Sequence, residues 1–107
     1  MKSITVYDPA MCCSTGVCGP APDSELAQLA GDLERLAKQG VEVVRYNLAQ
    51  QPQAFTQGEI RALLAHQGLL ALPAVFVDGR TVLVGRYPTS AELDNWHSGN
   101  DNLEVEE

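Results

Sequence analysis

Cys12, Cys13 and Cys18 fall within seven consecutive positions of a 107-residue chain, and they are its only cysteines. The run Met11-Cys12-Cys13-Ser14-Thr15-Gly16-Val17-Cys18-Gly19-Pro20 places three soft sulfur donors on one short stretch. Gly16 and Gly19 permit the tight turns that would aim those donors at a common point, so the sulfurs can converge on a single soft acceptor. No other segment of the chain concentrates reactive groups in this way.

Three chemistries compete for such a triplet. Structural zinc takes four ligands in a tetrahedron, usually from two separated pairs, and this stretch supplies three. His66 and His97 could complete a zinc set, but both fall on predicted helices remote in sequence and read as helix-surface or helix-end residues. Thiol redox work of the thioredoxin type asks for Cys-x-x-Cys, whereas the spacings here are Cys-Cys and Cys-x4-Cys. A bond between adjacent cysteines needs a strained ring, and a bond to Cys18 needs the stretch to fold back. A three-coordinate soft centre fits better. Trivalent arsenic or antimony carries a lone pair and takes three thiolates in a trigonal pyramid. The hydroxides of neutral arsenite accept the thiol protons and leave as water, whereas zinc must displace those protons. A free thiol, with a pKa of about 8.5, is only slightly ionised at neutral pH. A following helix would lower that cost through the unpaired N–H groups and positive dipole end of its N-terminus. A carrier working this way exchanges ligands and breaks no other substrate bond, so no catalytic residues are expected and the chain does not read as an enzyme.

The elements that must position the sulfurs follow from periodicity. Ser3 to Tyr7 is β-branched and aromatic with partial alternation and stops at Asp8-Pro9, which predicts a strand delivering the chain into the cysteine stretch. Beyond Pro20 and Pro22, Asp23 is a candidate N-cap. Leu26, Leu29, Ala30, Leu33, Leu36 and Ala37 then recur at helical spacing up to Gly40. Val41 to Tyr46 alternates as a second strand. Strand, helix and strand in this order make a right-handed βαβ unit with parallel strands. The cysteines then lie at the carboxyl end of the first strand, the edge where open α/β sheets bind ligands. Downstream, an irregular turn at Pro52–Phe55 leads to a second helix from a Thr56/Glu59 capping box to Gly68. Pro73 opens the apolar run 74–77, and Asp78-Gly79 predicts a hairpin into 81–84. Thr89 with Glu92 forms another capping box, and Leu93 and Trp96 would give the last short helix its apolar face. The order βαβαββα matches the thioredoxin core, a four-stranded mixed sheet with helices on both faces. Leu72-Pro73 falls where that fold keeps a cis-proline beside its active loop.

Size and charge limit the alternatives. One domain, residues 1–97, is expected, followed by an acidic, disordered tail over 98–107. Of the net charge of −7, residues 1–40 carry −2, 41–97 carry −1 and the last ten carry −4. The seven Lys and Arg are scattered, so no basic stripe supports direct DNA binding. The first residues lack the apolar core of a signal peptide, and no apolar run approaches the ~20 residues of a membrane span. A cytoplasmic protein is therefore expected, and reducing conditions there make disulfide scaffolding a poor explanation of the cysteines.

The run Tyr7-Asp8-Pro9-Ala10-Met11-Cys12-Cys13-Ser14-Thr15-Gly16-Val17-Cys18-Gly19 closely resembles the ArsD family of arsenical-resistance-operon proteins. The resemblance extends through Arg45-Tyr46-Asn47-Leu48-Ala49-Gln50-Gln51-Pro52, Leu72-Pro73 and Gly85-Arg86-Tyr87-Pro88. It implies a cytoplasmic homodimer that binds As(III) or Sb(III) through Cys12, Cys13 and Cys18 and passes it to the ArsA ATPase of an efflux pump. It also implies trans-acting repression of the operon through weak operator DNA binding, although neither a helix-turn-helix nor a basic face is evident. No organic cofactor is implied. Some members carry cysteine pairs near the C-terminus; here there is none after Cys18. Asp8 and Pro9 read as shaping the turn after the first strand, and Arg86-Tyr87-Pro88 as a strand-to-helix corner.

Overall fold

The computed structural model describes residues 1–10 and 24–98. In chain order the elements are β1 (Ser3–Asp8), α1 (Ser24–Lys38), β2 (Glu42–Asn47), a 3₁₀ turn (Pro52–Phe55), α2 (Gly58–Gln67), a second 3₁₀ turn (Gly68–Ala71), β3 (Ala74–Val77), β4 (Arg80–Val84) and α3 (Ser90–His97). The strands form one sheet in the order β2-β1-β3-β4. β1 runs parallel to β2, with Asp8 opposite Asn47, and antiparallel to β3, with Tyr7 opposite Ala74. This is the four-stranded mixed sheet of the thioredoxin-like fold that the order of elements predicts.

Alternation decides which face each strand residue serves. Ile4, Val6 and Asp8 of β1 are buried towards one side, and the first two pack with Leu29, Leu33 and Leu36 of α1, Leu93 of α3 and Val75 and Val77 of β3. Tyr7 points the other way, into a second cluster with Phe55, Ile60, Leu72, Ala74 and Phe76. The helices thus cover both faces, α1 and α3 on one and α2 on the other.

The ends of the elements show which local signals operate. At the C-terminus of α1, Gly40 takes φ +97°, and its N–H and that of Val41 bond to the carbonyls of Ala37 and Leu36. This is a Schellman closure, for which glycine has the least steric cost. The β3–β4 hairpin turns through Asp78 and Gly79, both at positive φ, as an Asp-Gly pair favours. The capping box of α3 forms: Thr89 Oγ1 accepts from the Glu92 N–H, and Glu92 Oε1 accepts from the Thr89 N–H. The predicted Thr56/Glu59 box does not. Thr56 ends the 3₁₀ turn and its hydroxyl donates to the Gln53 carbonyl, while Glu59 accepts from the Thr81 hydroxyl on β4 and α2 starts from an uncapped Gln57. A hydroxyl already satisfied by the preceding turn is lost to the following helix. The Leu72-Pro73 bond is cis. Among the described residues, no helix is long and apolar enough to cross a membrane.

Candidate functional site

Cys12, Cys13 and Cys18, together with Met11, Asp23 and the acidic tail beyond Ser98, lie outside the described residues. The structure describes the frame around the cysteine segment. β1 ends at Asp8, Pro9 and Ala10 lead into the segment, and α1 begins directly after it at Ser24. The pairing of Tyr7 with Ala74 sets the cis Leu72-Pro73 bond beside the end of β1. The segment therefore leaves the sheet at the carboxyl ends of the parallel strands, the edge predicted for it.

At that edge Asp8 has no solvent exposure. Its carboxylate accepts two hydrogen bonds from Arg45, Nε to Oδ2 and Nη2 to Oδ1, both at 2.9 Å. A third comes from the Tyr87 hydroxyl to Oδ1 at 2.7 Å. The bidentate fork is possible because Arg45, registered opposite Val6 on the neighbouring strand, projects to the same face as Asp8. The Arg45 side chain is only 11% exposed, and its Nη1 is buried with no acceptor among the described residues. Burial, and next to it the hydrogen bond to Asp8, pushes the Tyr87 hydroxyl above its ordinary pKa. It therefore remains a donor throughout the physiological range.

The next strand ends in an equally defined turn. Asn47, 1% exposed, accepts from the Ala49 N–H through Oδ1, and its own N–H donates to Gln51 Oε1. Its carbonyl takes the N–H groups of Gln50 and Gln51. These bonds account for much of the Arg45–Pro52 motif: Arg45 grips β1, Asn47 and Gln51 close the turn, and Pro52 starts the 3₁₀ turn. The Gly85–Pro88 motif makes the predicted corner, with Gly85 at φ +88° and Arg86 bidentate on Glu92. It also does what sequence reading missed, since Tyr87 reaches back to Asp8. Asp8 is likewise more than a turn former. No local signal reveals these contacts, because Arg45 and Tyr87 lie 37 and 79 positions away from Asp8; the one cue is a charged residue continuing the buried Ile4, Val6 alternation.

On the opposite face, an open cleft of about 490 Å³ is lined by Tyr7, Tyr46, Gln51, Gln53 and Gln57. The Tyr7 hydroxyl has its pKa raised by burial and then by Tyr46. His66 is exposed in the last turn of α2, and His97 ends α3 with Nδ1 buried and unpartnered among the described residues. Among the described residues, no three His, Cys, Asp or Glu side chains come together in a metal-holding group.

The family model for "Arsenical resistance operon protein ArsD" matches residues 1–107. The chain belongs to the ArsD family. Within the family it is 48% identical over 97 residues to an Escherichia coli protein named arsenical resistance operon trans-acting repressor ArsD, covering 90% of this chain and 81% of that one. A putative arsenical resistance operon repressor ArsD of Halobacterium salinarum is 37% identical over 95 residues, covering 87% of this chain and 88% of its own length. The crystal structure of an arsenical resistance operon trans-acting repressor from Bacteroides vulgatus superposes with a TM-score of 0.83 at 40% identity, over 90% of this chain and 92% of that one.

Proposed function

We propose that the protein is a cytoplasmic, homodimeric carrier of trivalent metalloid. Cys12, Cys13 and Cys18 bind As(III) or Sb(III) as thiolates and release it, one sulfur at a time, to cysteines of the ArsA ATPase of an arsenical efflux pump. The observation that carries this reading is the cysteine triplet on the segment that follows β1 in a chain of the ArsD family. Three soft donors match the coordination number of a trivalent metalloid, and the mobile ligand here is cargo. Arsenite titrated into reduced protein should saturate at about one per chain, with three sulfur neighbours by X-ray absorption. Each of Cys12→Ala, Cys13→Ala and Cys18→Ala should weaken binding strongly. Unchanged affinity in all three variants refutes the reading.

A second reading, arsenic-responsive repression of the operon, is favoured by the names of the E. coli and H. salinarum relatives. A gel-shift assay against the operon promoter at low salt, where phosphate contacts are strongest, decides it. A shift released by arsenite supports regulation, and no shift removes it.

A further inference from the structure

The Asp8–Arg45–Tyr87 group is an expensive way to end a strand. A buried ion pair rarely stabilises a fold better than apolar residues of the same shape. Arg45 Nη1 is buried as well and has no acceptor among the described residues. Stability alone does not account for the arrangement, whereas its position does. It grips the last residue of β1, four positions before Cys12, from two other places in the fold: the edge strand β2 and the corner between β4 and α3. The Asp8 carbonyl is held as well, by the Leu48 N–H at 3.2 Å. Main chain and side chain of this one residue are thus both fixed.

Three donors closing on one small ion lose conformational freedom, and a root fixed in position and direction reduces that loss before the ligand arrives. We infer that Asp8, Arg45 and Tyr87 are positioning residues for metalloid capture: they anchor the root of the cysteine segment where β1 ends. This inference rests on the three-thiolate reading above. The residues touch the cargo only through the chain they hold.

The test separates holding the fold from holding the segment. The triple variant Asp8→Leu/Arg45→Met/Tyr87→Phe replaces the polar group with apolar residues of similar size and should unfold in urea at or above the wild-type midpoint. Its arsenite affinity should nevertheless fall about tenfold or more, the scale on which outer-shell partners of metal ligands act. Tyr87→Phe alone removes one hydroxyl, keeps the ring and should weaken arsenite binding measurably, to a smaller extent. Arg45→Lys, which keeps the charge without the fork, should not restore wild-type affinity. Triple and Tyr87→Phe variants that bind arsenite within twofold of wild type overturn the inference and leave the carrier reading standing. Wild-type protein that binds no arsenite overturns both. If the triple variant does not fold, Tyr87→Phe decides alone, and unchanged affinity there counts against the inference.

Discussion

On the α1/α3 side of the sheet, two buried carboxylates are each held by donors from distant elements. Asp8 is held by Arg45 and Tyr87, and Asp32 by the Ser90 hydroxyl of α3 at 2.6 Å, with Arg35 of its own helix adding a bond at 3.3 Å. The α2 side is closed by rings: the Tyr7 centroid lies 5.3 Å from those of Phe55 and Phe76, edge to face, and 5.5 Å from that of Tyr46. Aromatic contacts stabilise over a range of offsets, so that side tolerates small movements. Hydrogen bonds to buried carboxylates lose energy steeply with displacement, so the other side fixes position. The side with fixed positions is the one from which α1 re-enters the fold after the cysteine segment. One face supplies stability, and the other supplies stability together with placement.

The largest effects should expose this difference. On the aromatic side, loss should follow the volume removed: Phe76→Ala is expected to cost about 3–5 kcal/mol in urea unfolding, and Phe76→Leu much less. On the polar side, loss should follow pairing. Asp8→Ala, which strands the Arg45 charge, should cost a comparable ~3–5 kcal/mol, whereas Asp8→Leu combined with Arg45→Met should cost little or nothing. Equal costs for the single and double changes would erase the distinction between the two faces.

Smaller effects should sharpen it at the helix ends. Thr89→Ala removes the α3 cap on the polar side and should cost about 1 kcal/mol. Thr56→Ala, at the start of α2 on the aromatic side, should cost less, because that hydroxyl serves only the preceding turn. The smallest effect is in acid. The Arg86 guanidinium, then the Thr89 N–H, hold the Glu92 carboxyl down from its ordinary 4.5 to about 2. Its folded pKa is below its unfolded one, so its contribution is complete above pH 4.5 and is lost as pH falls towards 2. Glu92→Gln should therefore flatten the stability profile between those limits; an unchanged profile would discount the pairing with Arg86.

The sequence was most informative where structure is local. The alternation of β1, the Gly40 stop, the Asp78-Gly79 hairpin and the Thr89 capping box all depend on neighbours within a few residues, and each is present in the fold, whereas the alternation read in the second strand is not matched by its burial. The second capping box shows the limit of such reading. Thr56 and Glu59 have the right spacing, but the 3₁₀ turn ahead of them and β4 beside them engage the two side chains first. Asp32 shows another, since it occupies a buried position on α1 that an apolar count passes over, and its shortest bond comes from Ser90, 58 positions away. The cysteine triplet was legible from composition and spacing, while the grip on its root depends on residues brought together by the sheet.

At the opposite end of β1, the Asp78 carboxylate accepts from the backbone N–H groups of Lys2 and Ser3, at 2.8 and 2.9 Å. The chain's beginning is thereby clipped to the β3–β4 hairpin, roughly 20 Å along the strand from the end that leads towards the cysteine segment. A fusion partner, dye or surface linker attached ahead of Met1 would project away from the edge at which β1 ends. For the proposed carrier, immobilisation by the N-terminus is thus the orientation that leaves the edge leading into the cysteine segment unobstructed.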